Sequence, residues 1–421
     1  MTKTITEKIF SRKCGCDVSA GEMRVVPVDA AMVHDITGPL AVNMFHRMKG
    51  EKVFDPEKII MIFDHQVPAD SITAAENHIM MREFAKEQGI YNYDVKEGIC
   101  HQVALETGKI MPGDIVVGVD SHTCTYGAVG AFSTGIGSTD MGFVLRFGAL
   151  YFRIPESVRI EADGKFAPRV GAKDLIMKTI GDIGADGATY RAVEFTGQAF
   201  EEMEIPGRMT CCNMAIEMGG KAGIVPPDEK TRKWLSKYGD VDAAKPGSFD
   251  LKADEGAAYA GKVEYDVGDL VPQVAVPHNV DNVVDIDEVE GTHLDQVFIG
   301  SCTNGRFEDF AEAAEVMGDM NFSPDVRVIA IPASRTEYLK CLRAGIIEKF
   351  VEAGALFEAP CCGPCMGGAF GLIGVEEVSL STSNRNFRGR QGSTKGEVYL
   401  CSPATAAASA IKGEIADPRE M

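Results

Sequence analysis

A chain of 421 residues is too long for one ordinary hydrophobic core, so two or three domains are expected. Hydrophobic residues at 45% and charged residues at 25% are those of a soluble globular protein, and 62 acids against 42 bases leave a net charge of −20 that disfavours a nucleic-acid partner. No apolar run approaches the length of a bilayer and residues 1–13 lack the apolar centre of a signal peptide, so a cytoplasmic protein with no membrane partner is expected, its 12 cysteines mostly reduced and buried.

In chain order, the apolar run 58–63 reads as a buried parallel strand and leads directly into Asp64-His65. Residues 71–88 have the length and spacing of a crossover helix that ends before Gly89. His101 comes next, then a second apolar run, 114–119, that leads into Asp120-Ser121-His122. The glycines Gly127, Gly130, Gly135 and Gly137 lack the spacing of a dinucleotide or phosphate loop and read as close backbone packing. Between residues 227 and 273 the periodicity weakens, which predicts a peripheral segment with one helix near 229–238.

Runs at 295–299, 326–331, 355–359 and 378–381 restore the strand pattern. The first leads to Ser301-Cys302-Thr303-Asn304, the third to Cys361-Cys362-Gly363-Pro364-Cys365 and the last to Asn384-Arg385-Asn386. Strands alternating with helices are the α/β pattern, and in open α/β sheets ligands bind beyond the carboxyl ends of the strands. Reactive side chains therefore collect where a site should be.

Cys362-Gly363-Pro364-Cys365 alone is open to a redox dithiol, half a zinc site or part of an iron–sulfur site. Structural zinc wants four ligands, usually as two such pairs, and Cys14-Gly15-Cys16 is one residue too short to be the second. With Cys302 in an equivalent loop, three thiolates suit a cubane cluster with one open iron, the position that a Lewis-acid catalyst needs and an electron carrier closes with a fourth cysteine. Cys361 remains a rival to Cys362. Cys100, Cys124, Cys211, Cys212, Cys341 and Cys401 read as small core residues.

Asp64, His65, His101, Asp120, His122 and Glu217 are enough for three carboxylate–histidine pairs, in which the carboxylate fixes the tautomer and prepares the imidazole for acid work. His34, His46, His78, His278 and His293 read as structural. Arg385 and Arg390 are candidates to clamp carboxylates bidentately, whereas Arg388 reads as solvated surface.

Taken together, Val119-Asp120-Ser121-His122-Thr123, Cys212-Asn213-Met214-Ala215-Ile216-Glu217, Ile299-Gly300-Ser301-Cys302-Thr303-Asn304, Cys362-Gly363-Pro364-Cys365 and Ser383-Asn384-Arg385-Asn386-Phe387 resemble, in order, the signatures of the aconitase superfamily. The resemblance covers essentially the whole chain. It implies three α/β domains with mostly parallel sheets around a central iron–sulfur cluster. Their expected bounds are 1–155 with the Asp-His pairs, 156–284 with Asn213 and Glu217, and 285–421 with the cluster cysteines and the arginines. It also implies one 4Fe-4S cluster held by Cys302, Cys362 and Cys365 with one open iron, and pairing of Asp64 with His65, Asp120 with His101 and Glu217 with His122. Ser121, Asn213, Asn304, Arg385 and Arg390 are the implied substrate contacts.

The implied chemistry is reversible dehydration and rehydration of a 2-hydroxy diacid. Val33-His34-Asp35-Ile36-Thr37-Gly38-Pro39-Leu40 and Phe63-Asp64-His65-Gln66-Val67-Pro68 are similar to the compact archaeal-type branch that contains isopropylmalate dehydratase and homoaconitase large subunits. The shared motifs bind the common hydroxyl and carboxylates and do not choose the diacid's side chain. The ending after Cys401-Ser402-Pro403-Ala404 resembles the close of the third domain, so a separate small subunit is expected to supply the swivelling domain and the missing base.

Overall fold

Strands that are apolar on both faces need helices on both sides to bury them, and the computed structural model, which describes residues 2–421, builds three such sheets. Strands are numbered in chain order. The first sheet runs β4 (Asn92–Tyr93), β3 (Ile59–Ile62), β2 (Ala30–His34), β5 (Ile115–Gly118), β6 (Phe132–Gly135) and is parallel throughout. β2, β3 and β5 are buried along their whole length, which is why β3 and β5 read as unbroken apolar runs. An antiparallel ribbon of β1 (Met23–Pro27) and β7 (Ala149–Arg153) brackets this region in sequence. The helix Ile72–Gln88 has the extent its spacing predicts, with Ser71 Oγ accepting from Ala74 N–H and Gly89 in the left-handed conformation at its end.

The second sheet, ordered β10 (Ala222–Ile224), β9 (Ala192–Thr196), β8 (Ser157–Asp163), β11 (Gly261–Asp266), is also wholly parallel. β11 falls in the stretch where periodicity fades, because it is an edge strand with Lys262 and Glu264 exposed and no residue fully buried. The helix expected there is shorter than its spacing suggests, Glu229–Leu235.

The third sheet runs β13 (Val283–Asp285), β12 (Gln273–Ala275), β18 (Glu397–Leu400), β17 (Val378–Ser381), β14 (Gln296–Gly300), β15 (Arg327–Ile331), β16 (Leu356–Phe357). β12 is antiparallel to both neighbours and the other pairings are parallel. β12 and most of β13 lie inside the segment 156–284 expected to form the middle region, yet they pair into this sheet. Strands of three residues carry no periodic signal that would assign them. The run at 355–359 yields only the short β16, since after Glu358 N–H bonds to the Ala330 carbonyl the chain departs into the cysteine loop.

Close backbone contacts lock the three layers together. A Cβ on Gly127 would lie 1.6 Å from the Gly223 carbonyl oxygen, so the segment after β5 presses directly on the second sheet. Gly98 has φ +120, and a Cβ there would lie 2.5 Å from Ser334 Cα and 2.6 Å from the Ala333 oxygen. Next to it, Ile99 N–H donates to the Ala333 carbonyl at 2.8 Å, setting the helix Cys100–Glu106 against the third layer.

Gly98→Ala is therefore expected to destabilise the chain by at least about 2 kcal/mol, through backbone strain and clash together. Gly89→Ala, at φ +74 with nothing within 4 Å, should cost only about 1 kcal/mol. Urea-unfolding midpoints compare them, and equal shifts would show that the Gly98 contact is not a constraint.

Candidate active site

Cys302, Cys362 and Cys365 line one small cavity with Asp64, His65, His101, Asp120, His122, Asn384 and Arg390. Cys302 leaves β14 through Ser301, whose φ of +74 is rare for a non-glycine residue and persists only where the surroundings enforce it. Buried Arg306 is the enforcing group, donating to the carbonyls of Cys302 at 2.6 Å and Thr303 at 2.7 Å. The side-chain amides of Asn213 and Asn384 donate to Cys302 Sγ at 3.2 and 3.4 Å. Cys362 N–H donates to the Asp64 carbonyl at 3.0 Å, and Cys362 Sγ lies 3.7 Å from Asp64 Oδ2. Cys365 Sγ is 3.9 Å from both Asn384 Oδ1 and Arg390 Nη2. Cys361 belongs to the apolar cluster that includes Phe298 and Ile331 and does not line the cavity.

Asp120 is the hub of the polar side. Its Oδ1 accepts from the His122 backbone N–H at 2.7 Å, faces His101 Nε2 at 2.7 Å and stands 3.3 Å from His122 Nδ1. His65 Nε2 is 4.0 Å from its other oxygen. His122 Nε2 faces Glu217 Oε1 at 2.8 Å, and Arg385 Nε donates to both Glu217 oxygens at 2.8 and 3.0 Å. His65 Nδ1 faces Asp64 Oδ1 at 2.7 Å, while Asp64 Oδ2 accepts the Cys100 N–H at 2.7 Å. All three carboxylate–histidine pairs thus lie within hydrogen-bond distance, and each puts its histidine on the cavity lining, with Glu217 behind His122.

Burial opposes the charges on Asp120, Glu217 and His65, and pairing overrides it. Burial would raise the Asp120 carboxyl, but bonds from His101 and His122 hold it well below the usual carboxylate range. Glu217 is likewise lowered against burial by His122 and Arg385. Burial works against protonated His65, yet Asp64, Asp35 and Asp120 together raise it to about 10.

His34, which reads as structural, and its neighbour Asp35 join this group. The His34 ring stacks on His65 with centroids 4.1 Å apart, and its Nδ1 accepts the Ile36 N–H at 3.3 Å. Burial, then the charge on His65, holds His34 down at about 4. Asp35 accepts backbone N–H bonds from Asp64 and His65 at 3.1 Å and from Gln66 at 2.8 Å, which shapes the loop carrying the first pair.

A family model described as "Aconitase family (aconitate hydratase)" matches residues 7–292 and 287–413. The chain belongs to the aconitase family. It is 67% identical over the whole length of both chains to a 3-isopropylmalate dehydratase large subunit of Methanoregula boonei. A probable 3-isopropylmalate dehydratase large subunit of Methanosarcina mazei is 58% identical, across 99% of this chain and 100% of that one. A probable methanogen homoaconitase large subunit of Methanothermobacter thermautotrophicus is 50% identical, across 99% and 97%. Among solved structures, Thermococcus kodakaraensis aconitase X in its holo form superposes with a TM-score of 0.50 at 12% identity, covering 93% of each chain, a likeness of fold.

Aconitase-family membership implies an iron–sulfur centre, and the donor set fits one. Two amide N–H groups aim at Cys302 Sγ, as a thiolate requires of its neighbours. Burial and then Cys365 push the Cys302 thiol up to about 12, and burial pushes Cys362 well up, so a cation is needed to hold them as thiolates.

The residues read as substrate contacts divide. Arg390 lines the cavity, and its buried Nε has no hydrogen-bond partner among the described residues. Arg385 is committed to Glu217, and Asn213 to Cys302 and Thr125. Ser121 borders a separate cleft of about 810 Å³ with Ile216 and Lys221. Asn304 is not brought to the cavity: its Oδ1 accepts from Lys173 at 3.2 Å and its Nδ2 donates to Asp309 at 2.9 Å. Side-chain direction at a strand end depends on such partners, which motif spacing does not contain.

The raised His65 pKa fixes a pH dependence. A histidine lifted from 6.5 to about 10 on folding contributes stability that is complete below about pH 6.5 and is lost as pH rises toward about 10. The stability difference between the wild-type chain and His65→Gln should therefore be largest near pH 6 and shrink steadily into the alkaline range. A difference that stayed constant or grew with pH would mean that the imidazole is not held protonated by its carboxylates.

Proposed function

We propose that this chain is the large, cluster-bearing subunit of a 3-isopropylmalate dehydratase, which removes water from 2-isopropylmalate and adds it back with the hydroxyl on the neighbouring carbon. The observation that carries this choice is the 67% identity, end to end, with the Methanoregula boonei protein of that name.

Cys302, Cys362 and Cys365 would hold a 4Fe-4S cluster whose remaining iron supplies Lewis-acid polarisation of the substrate hydroxyl. Arg390 would present planar donors to the substrate carboxylates, and Arg385, held to Glu217 through Nε alone, would add its remaining guanidinium N–H groups, while Asn213 and Asn304 act from behind the cavity and Ser121 from the adjoining cleft. His101, oriented by Asp120, gives the proton that turns the departing hydroxyl into water, and takes it back in the reverse hydration. The pairs Asp64–His65 and Glu217–His122 hold that water and the adjoining carboxylate oxygens.

A proton must also leave the carbon beside the hydroxyl-bearing one, and a base has to sit within hydrogen-bond reach of it. We assign that base to a small subunit carrying the swivelling domain, which would also line the space around the variable substituent. The free thiols of all 12 cysteines suit a reducing cytoplasm, and no helix among the described residues is long and apolar enough to cross a membrane.

The test is turnover by the chain, loaded anaerobically with iron and sulfide and combined with its small subunit, on 2-isopropylmalate, homocitrate, citrate and citraconate. The expected preference for 2-isopropylmalate is roughly tenfold or more, the least that one methylene group contributes in a fitted pocket. Preference for homocitrate would move the chain to the homoaconitases, the relatives that share 50% identity. Full activity from the large chain alone would remove the two-subunit reading.

A further inference from the structure

Lys173 stands where helix stability alone would not put it. It is the second residue of the helix Ala172–Ile183, so its charge opposes the positive end of the helix dipole, and it is 2% exposed. A buried ammonium is tolerated only when all its hydrogens are taken up. Here they are: Nζ donates to the Thr382 carbonyl at 2.7 Å, the Ser383 carbonyl at 2.7 Å and Asn304 Oδ1 at 3.2 Å. Burial lowers its pKa to about 8, and Asp309 and Asp174 act against that loss of charge.

The two carbonyl acceptors matter because the residues just after them in the chain reach the site. The Ser383 carbonyl belongs to the peptide that begins Asn384, and the Asn384 side-chain Nδ2 donates to Cys302 Sγ at 3.4 Å and to Asn213 Oδ1 at 3.2 Å. The next residue is Arg385, bound to Glu217. On the far side, Thr382 Oγ1 accepts the Gly300 N–H at 2.9 Å and donates to the Gly300 carbonyl at 3.1 Å, so the turn is gripped from two directions. The lysine's own base is anchored as well, because Asp174 accepts the N–H groups of Gly171 and Gln273 at 3.0 Å each.

We propose that Lys173 is a positioning residue of this active site: from the second layer it pins the turn after β17 and thereby presents Asn384 to Cys302 and Arg385 to Glu217. This rests on the functional reading given above. Lys173 touches neither the thiols nor the acid–base pairs directly. It acts through two carbonyls, and displacements on the order of 1 Å at such a turn are enough to cost roughly a hundredfold in rate.

Lys173→Met keeps the stem and removes the ammonium. It is compared with the wild type, Arg385→Gln and the double variant, each as the full chain loaded with iron and sulfide and joined to its small subunit. Lys173→Met is expected to retain wild-type iron and sulfide, to exchange backbone hydrogens faster in the peptide 382–386, and to lose roughly a hundredfold in kcat/KM on 2-isopropylmalate. Adding it to Arg385→Gln should cost little more than the larger single loss, since both act through one turn. Unchanged kcat/KM, independent multiplication of the two losses, unchanged exchange at 382–386, or iron lost in step with activity would each overturn the proposal. If Lys173→Met does not fold, Lys173→Gln, which retains an amide donor on a shorter stem, is judged by the same readouts. A wild type inactive on 2-isopropylmalate would sink the functional reading alone, because the exchange comparison needs no substrate and still decides the role of Lys173.

Discussion

One half-buried carboxylate facing three imidazoles is the constraint on which the rest of the site depends. Asp120 meets His101 and His122 directly and lies 4.0 Å from His65. A carboxylate so largely removed from water keeps its charge when positive or donating partners face it, and those partners, most of them buried, must in turn be satisfied. Glu217 and Asp64 do this for His122 and His65, and Arg385 and the Cys100 N–H do it for Glu217 and Asp64. The network closes only when elements of the first, second and third layers are brought together. The close approaches at Gly127 and Gly98 are the backbone side of the same requirement.

The thiols line the same cavity, Cys362 directly beside Asp64, and the support of Cys302 is built differently. Ser301 holds a strained conformation, and Arg306 and the amides of Asn213 and Asn384 fix Cys302 from the carbonyl and sulfur sides. Arginine and asparagine donors have no titration to lose in the ordinary pH range, so the support of Cys302 does not depend on protonation as the histidine pairs do. The division suits a catalyst that must hold a cluster still beside groups whose charge changes.

Much of this is legible in the sequence because the chemistry sits at strand ends. β3, β5, β14 and β17 are short, buried along all or nearly all of their length and therefore readable as apolar runs, and residues just after them line the cavity. His34 and Asp35 obey the same rule at the end of β2, but His34 reads as structural because a stacking contact has no spacing. Asn304 lies in a loop that belongs to the site region, yet its partner Lys173 comes from 131 positions away and turns the side chain elsewhere. β11, β12 and β13 escape notice because edge exposure or three-residue length leaves no period to detect. Lys173 and Arg306 are invisible for a related reason: a buried cation looks like a surface residue until its acceptors are known.

Everything proposed for the chemistry turns on Cys302, Cys362 and Cys365 holding a cluster with one iron facing the carboxylate–histidine wall. The decisive measurement is the Mössbauer spectrum of the full chain loaded with iron-57 and sulfide, taken before and after adding 2-isopropylmalate with the small subunit present. One iron site of the four is expected to change its environment on addition while the other three stay as they were. Spectra in which no site responds to the diacid, or in which all four irons are equally sulfur-ligated, would contradict this arrangement.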